Sequence, residues 1–161
     1  MPYQPEDFSR LLGTQGFSDA LLNNHFTLYQ GYVNNVNKLS EALLKLAEED
    51  KTALPEYAEQ KRRLGWEWNG MRLHEYYFGN MKKGGAEKNS DAPLYKSLAE
   101  QFGSVEKWEK DFRATGAMRG IGWTILYCDN QSEKLFNIWV NEHDMGHLAG
   151  CKPILVLDVF E

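Results

Sequence analysis

The chain has 161 residues, with 23 Asp and Glu against 18 Lys and Arg, for a net charge of −5. That acidic balance argues against a nucleic-acid partner, and no apolar run approaches the ~20 residues of a membrane span. Aromatic residues are plentiful, with 5 Trp, 8 Tyr and 8 Phe, so a sizeable core with aromatic walls is within reach of a single domain, or of a helical layer followed by a small α+β layer. The opening MPYQPEDFSR has no apolar run after a basic start and does not read as a signal peptide. Cys128 and Cys151 are isolated thiols without CxxC spacing, which fits reduced, buried cysteines in a cytoplasmic protein.

In chain order, residues 1–16 carry Pro2, Pro5, Gly13 and Gly16 and read as a loop entry. Ser18 caps a long helix that runs to about Asp50. Leu21, His25, Leu28, Tyr32, Val36, Leu39, Leu43 and Leu46 step by three and four along it, which places them on one face. Gly31 lies inside this helix, where close packing or a local distortion would account for it. Thr52–Pro55 breaks the pattern. A second helix follows, with Leu64, Trp68, Met71, His74, Phe78 and Met81 on its apolar stripe and Gly84-Gly85 at its end. Two long helices with a short link favour an antiparallel hairpin, so residues 1–85 are expected to form a helical-hairpin domain. Residues 86–92 are a polar linker. Asp91 and Pro93 start a third helix that Gly103 closes, and Ser104 caps a fourth with Val105, Trp108 and Phe112 turned inward. Gly116 and Gly120-Ile-Gly122 end it. The period then becomes two: Trp123–Cys128 and Leu135–Asn141 form a β-hairpin, residues 142–147 a loop, and Pro153–Leu157 a third strand. Residues 86–161 therefore read as an α/β domain with a three-stranded antiparallel sheet, and the fold class is α+β. Asp158-x-x-Glu161 has capping-box spacing, so the parent protein is expected to continue past Glu161.

Four histidines carry most of the chemical interest. His25 and His74 lie on facing helical stripes, and His143 and His147 lie in the late loop. Two imidazoles with the Asp158 carboxylate suit iron, manganese or zinc. Hydrogen-bonded core histidines and a capping Asp158 explain the same pattern, and on spacing alone the two readings stand level. His143 and His147, at i and i+4, also allow a zinc hydrolase built with Asp158. Tyr32, Trp123 and Phe160 are compatible with plain core roles.

Gly31-Tyr-Val-Asn-Asn-Val-Asn37, His74-Glu-Tyr-Tyr-Phe78, Gly120-Ile-Gly-Trp123 and Asp158-Val-Phe-Glu161 together resemble the iron/manganese superoxide dismutases. The four motifs occur in the family's order and cover nearly all of the chain from Ser18. The resemblance implies a helical hairpin followed by an α/β domain. It also implies one Fe or Mn ion per subunit, read here with a lean to iron, acting on superoxide in a homodimer or homotetramer. Its ligands would be His25, His74, Asp158 and a histidine one residue past Glu161. Tyr32 matches the active-site tyrosine, and His143 the position whose side chain contacts metal-bound solvent. Trp123 and Phe160 match aromatic walls. Gly70 lies where iron enzymes often carry a glutamine, and Glu161 matches a glutamate that reaches across the dimer to the partner's ligand. One departure stands out: the family's first ligand precedes the tyrosine by eight residues, which falls on Asn24. His25 is chosen because it shares the apolar stripe, with a bulge in the family's helix that is absent here. Tyr29 then replaces the family's gateway histidine. The rival reading under this resemblance is a metal-depleted, inactive scaffold of the same fold.

Overall fold

The computed structural model describes residues 1–160; the expected role of Glu161 lies outside the described residues. The chain divides into two compact units, one spanning Met1–Phe78 and the other running from Gly79 onward.

The first unit is a helical hairpin. Helix α1 spans Asp19–Glu48, and the Ser18 hydroxyl accepts the Leu21 N–H at 3.1 Å as its cap. Helix α2 spans Pro55–Asn80, with proline at its first position, where a missing N–H costs nothing. The helices run antiparallel, because partners on α2 count down as α1 counts up. His25 faces His74 and Phe78, Tyr29 faces Glu75, Tyr32 lies on Gly70, and Asn35 meets Glu67.

The buried face of α1 differs from the expected stripe. Leu22, Tyr29, Tyr32, Val33, Val36, Leu43 and Leu46 are buried, whereas Leu21 and Leu28 are 50% and 41% exposed. One residue turns the helix by about 100°, so Leu21 and Leu22 belong to adjacent rails. The rail through Leu22, Tyr29 and Val33 is preferred because a second element covers it. The N-terminal segment, expected to be a loop, is tied down. Tyr3 N–H donates to Asn37 Oδ1 at 2.8 Å, and Asn37 Nδ2 returns a bond to Tyr3 O at 2.9 Å. Glu6 N–H donates to the Tyr29 hydroxyl at 3.0 Å. Phe8 and Leu11, around a 3-10 turn at Ser9–Leu11, are buried, and Phe8 packs on Phe26, Tyr29 and Phe78. On α2, Met71, His74 and Phe78 are buried as expected, joined by Glu67, Gly70 and Leu73. Leu64 and Trp68 are half-buried.

In the second unit, helix α3 spans Pro93–Phe102 and ends on Gly103, whose φ of 81° is the left-handed conformation that glycine adopts freely. Helix α4 spans Val105–Gly116, and Ser104 Oγ accepts Lys107 N–H at 3.1 Å as its cap. Strands β1 (Gly122–Asp129), β2 (Leu135–Asn141) and β3 (Cys151–Asp158) form an antiparallel sheet in the order β2-β1-β3. Leu98 of α3, Phe112 of α4, Leu126 of β1 and Leu135 of β2 make its core. Asn80 explains why α2 stops before Gly84-Gly85: its side chain accepts Val156 N–H at 3.0 Å and donates to Ile154 O at 3.2 Å on β3. An asparagine so engaged favours a helix end.

Candidate metal centre

Helix geometry brings the two hairpin histidines together. His74 is fully buried. Its Nδ1 lies 2.6 Å from Gly70 O, one turn back on the same helix. A carbonyl oxygen can only accept, so Nδ1 carries the proton and Nε2 presents a lone pair. That Nε2 lies 3.0 Å from His25 Nε2, with the rings edge-on at 4.9 Å and 89°. Two nitrogens each about 2.1 Å from one ion have about this separation when they are neighbouring ligands. The pair, one imidazole held in its neutral ligand tautomer by a backbone carbonyl, fits a divalent first-row metal.

Helix α1 is uninterrupted α-helix through this region. His25 and Tyr32, seven residues apart, therefore face the same way. The Tyr32 ring stacks on His74 at 5.2 Å and 30°, and its Cδ1–Cε1 edge abuts Gly70. A Cβ at position 70 would lie 2.6 to 3.0 Å from three Tyr32 ring carbons, so glycine is what lets the ring lie there. Asn24, the alternative by family spacing, is exposed.

Behind this pair, Tyr29 donates to Glu75 Oε1 at 3.0 Å while accepting Glu6 N–H. Glu75 is also paired with Arg72, whose guanidinium lies over the Tyr3 and Trp68 rings. Burial raises the Tyr29 phenol well above its ordinary value, and the Glu75 charge pushes the same way against the Glu6 bond.

The second unit assembles another set. Trp123 and His143 are fully buried, and Trp123 Nε1–H donates to His143 Nδ1 at 3.0 Å. Phe160 stacks on the face of the His143 ring at 4.9 Å and 11°. Asp158 is the last residue of β3, opposite Trp123 in register, and its Oδ1 accepts Phe160 N–H at 2.7 Å. His147 bonds the Tyr127 hydroxyl through Nδ1 at 2.7 Å and His143 O through Nε2 at 2.9 Å. With both ring nitrogens turned to protein partners, His147 does not offer a lone pair to zinc, which weighs against the hydrolase reading.

The Glu75–Arg72 pair and the Tyr127–His147 contact were not anticipated. The second had a signal: Trp123 and Tyr127 share one face of β1 by the two-residue period, and His143 and His147 repeat the same four-residue step.

Residues 90–161 match the family of iron/manganese superoxide dismutases, C-terminal domain. The whole chain is 37% identical over 161 residues to superoxide dismutase [Mn] 2 of Haloferax volcanii, covering 77% of that protein. It is 34% identical over 170 residues to superoxide dismutase [Fe] of Sulfolobus acidocaldarius, with all of this chain and 76% of the relative covered. It is 31% identical over 163 residues to superoxide dismutase [Fe] of Aquifex pyrophilus, covering 98% of this chain and 76% of the relative.

Proposed function

Because the chain belongs to the iron/manganese superoxide dismutase family and is an iron or manganese superoxide dismutase, we propose that His25, His74 and Asp158 hold the ion and that Tyr32 and His143 serve the protons. The observation that carries this reading is the meeting of the two imidazoles at 3.0 Å, with His74 locked in its ligand tautomer by Gly70 O.

The reaction converts two superoxide ions and two protons into oxygen and hydrogen peroxide. A bound iron or manganese ion supplies the two accessible oxidation states that this needs. The rest falls to the chain. Gly70 O holds His74 in the correct tautomer and ring orientation. Asp158 adds one negative charge to two neutral imidazoles, a mixed set suited to both oxidation states. His143 accepts from Trp123 at Nδ1, so its proton sits on Nε2, as a donor. The Tyr32 hydroxyl is the second proton-bearing group. Trp123 and Phe160 close the His143 ring between aromatic surfaces and keep bulk water from it.

Within the described residues no helix is long and apolar enough to cross a membrane. Cytoplasmic residence and assembly as a homodimer or homotetramer complete the proposal, and the free thiols of Cys128 and Cys151 support the first. Relatives of both metal types resemble this chain to nearly the same degree. Elemental analysis decides whether the expected iron is the one bound.

The test is His74→Ala. Metal content and superoxide consumption are predicted to fall at least about 100-fold, since a ligand loss exceeds the 10- to 100-fold cost of losing a supporting contact. Wild-type metal and activity in that variant would falsify the ligand assignment.

A further inference from the structure

We propose that His147, paired with Tyr127, is a positioning residue that clamps the 142–147 loop and so presents His143 as a single-tautomer hydrogen donor. The inference rests on the reading of His143 given above.

The tautomers follow from donor chemistry. Indole N–H can only donate, so His143 Nδ1 accepts from Trp123 and the His143 proton is on Nε2. A carbonyl can only accept, so His147 Nε2 carries the proton that bonds His143 O, and in the neutral ring His147 Nδ1 accepts from the Tyr127 hydroxyl. Two aromatic donors from one face of β1 thus fix two histidines of one loop in the same state. His143 is held at both ends, its ring by Trp123 and its carbonyl by His147.

The backbone between them is constrained as well. Glu142 enters the loop at φ 49° and Gly146 leaves it at φ 109°, where a Cβ would lie 2.6 Å from Trp139 O. Asn141 and Met145 exchange backbone hydrogen bonds at 2.8 and 3.3 Å. The loop is a short, closed turn, and His147 is the side chain that ties its far end back to His143. Remove that imidazole and the His143 carbonyl loses this donor, while the Trp123 bond and the Phe160 stack still hold the ring.

The test uses the full chain with His147→Ala, His147→Gln and Tyr127→Phe. Imidazole 15N shifts of the protein freed of metal report the His143 tautomer, and loaded protein gives metal content and kcat. Wild type is expected to show His143 wholly as the Nε2–H form. His147→Ala is expected to show averaged His143 shifts and about a 10-fold loss of kcat at unchanged metal content, as for loss of a supporting contact. Tyr127→Phe should move both readouts the same way. The glutamine amide can still donate to His143 O, so His147→Gln should recover most of both. Unchanged His143 shifts and kcat in folded His147→Ala or Tyr127→Phe overturn the inference, as does a glutamine variant no better than alanine. His143→Ala with wild-type activity would instead overturn the reading on which the inference stands, and the inference with it.

Discussion

Gly70 serves the hairpin twice, through what it has and what it lacks. Its carbonyl fixes the proton of His74, and its missing Cβ leaves room for the Tyr32 ring. Gly70→Ala should therefore destabilise the protein by about 1–3 kcal/mol, as overpacking does. Urea denaturation of the single variant, Tyr32→Leu and the double variant checks it: the cost should shrink sharply once the ring is gone, and equal costs in both backgrounds would show that the clash is not with Tyr32. Tyr29 supports a prediction about pH. Its folded pKa is raised, so the folded state keeps its proton where the unfolded phenol loses it. The unfolded state then binds fewer protons, and stability falls as pH rises above the ordinary phenol value of 10.0. The stability difference between wild type and Tyr29→Phe, measured by denaturant titration between pH 8 and 11, should shift against wild type towards the alkaline end. A difference flat across that range contradicts the account.

At the scale of elements, the N-terminal segment and α1 are one packing unit. Phe8→Ala should cost about 3–5 kcal/mol, in the range for a buried aromatic, because it strips contacts from Phe26, Tyr29 and Phe78 together. A loss under about 1 kcal/mol in thermal or urea unfolding would mean the segment is only loosely laid on the helix. This segment also marks the limit of what periodicity reveals. Helices α1 to α4 and the three strands were legible because each repeats its own period, helped at several ends by a cap or glycine such as Ser18, Gly103 and Ser104. The buried rail of α1 was not, because residues 1–11 have no period and yet decide which of two adjacent apolar rails is covered. The end of α2 was missed for a similar reason, since Asn80 answers to a strand more than seventy residues away. That His25, Tyr32 and His74 come together was legible from spacing, since they lie on facing helical stripes. The tautomers were not, because they depend on Gly70 O and Trp123 Nε1, contacts that no local pattern contains.

For the whole molecule, metal binding at the proposed site would be part of stability. An ion that binds only the folded chain at 100 times its Kd adds about 2.7 kcal/mol. Added iron or manganese should thus raise the melting temperature of the metal-free protein, and the shift should vanish in His74→Ala. The proposed first ligand of the redox-active ion is His25, not Asn24. The most direct measurement is elemental analysis with a superoxide assay on purified wild type, His25→Ala and Asn24→Ala. The account predicts iron or manganese with activity in wild type and Asn24→Ala, and neither in His25→Ala. Metal and activity kept by His25→Ala, or lost by Asn24→Ala, would contradict it.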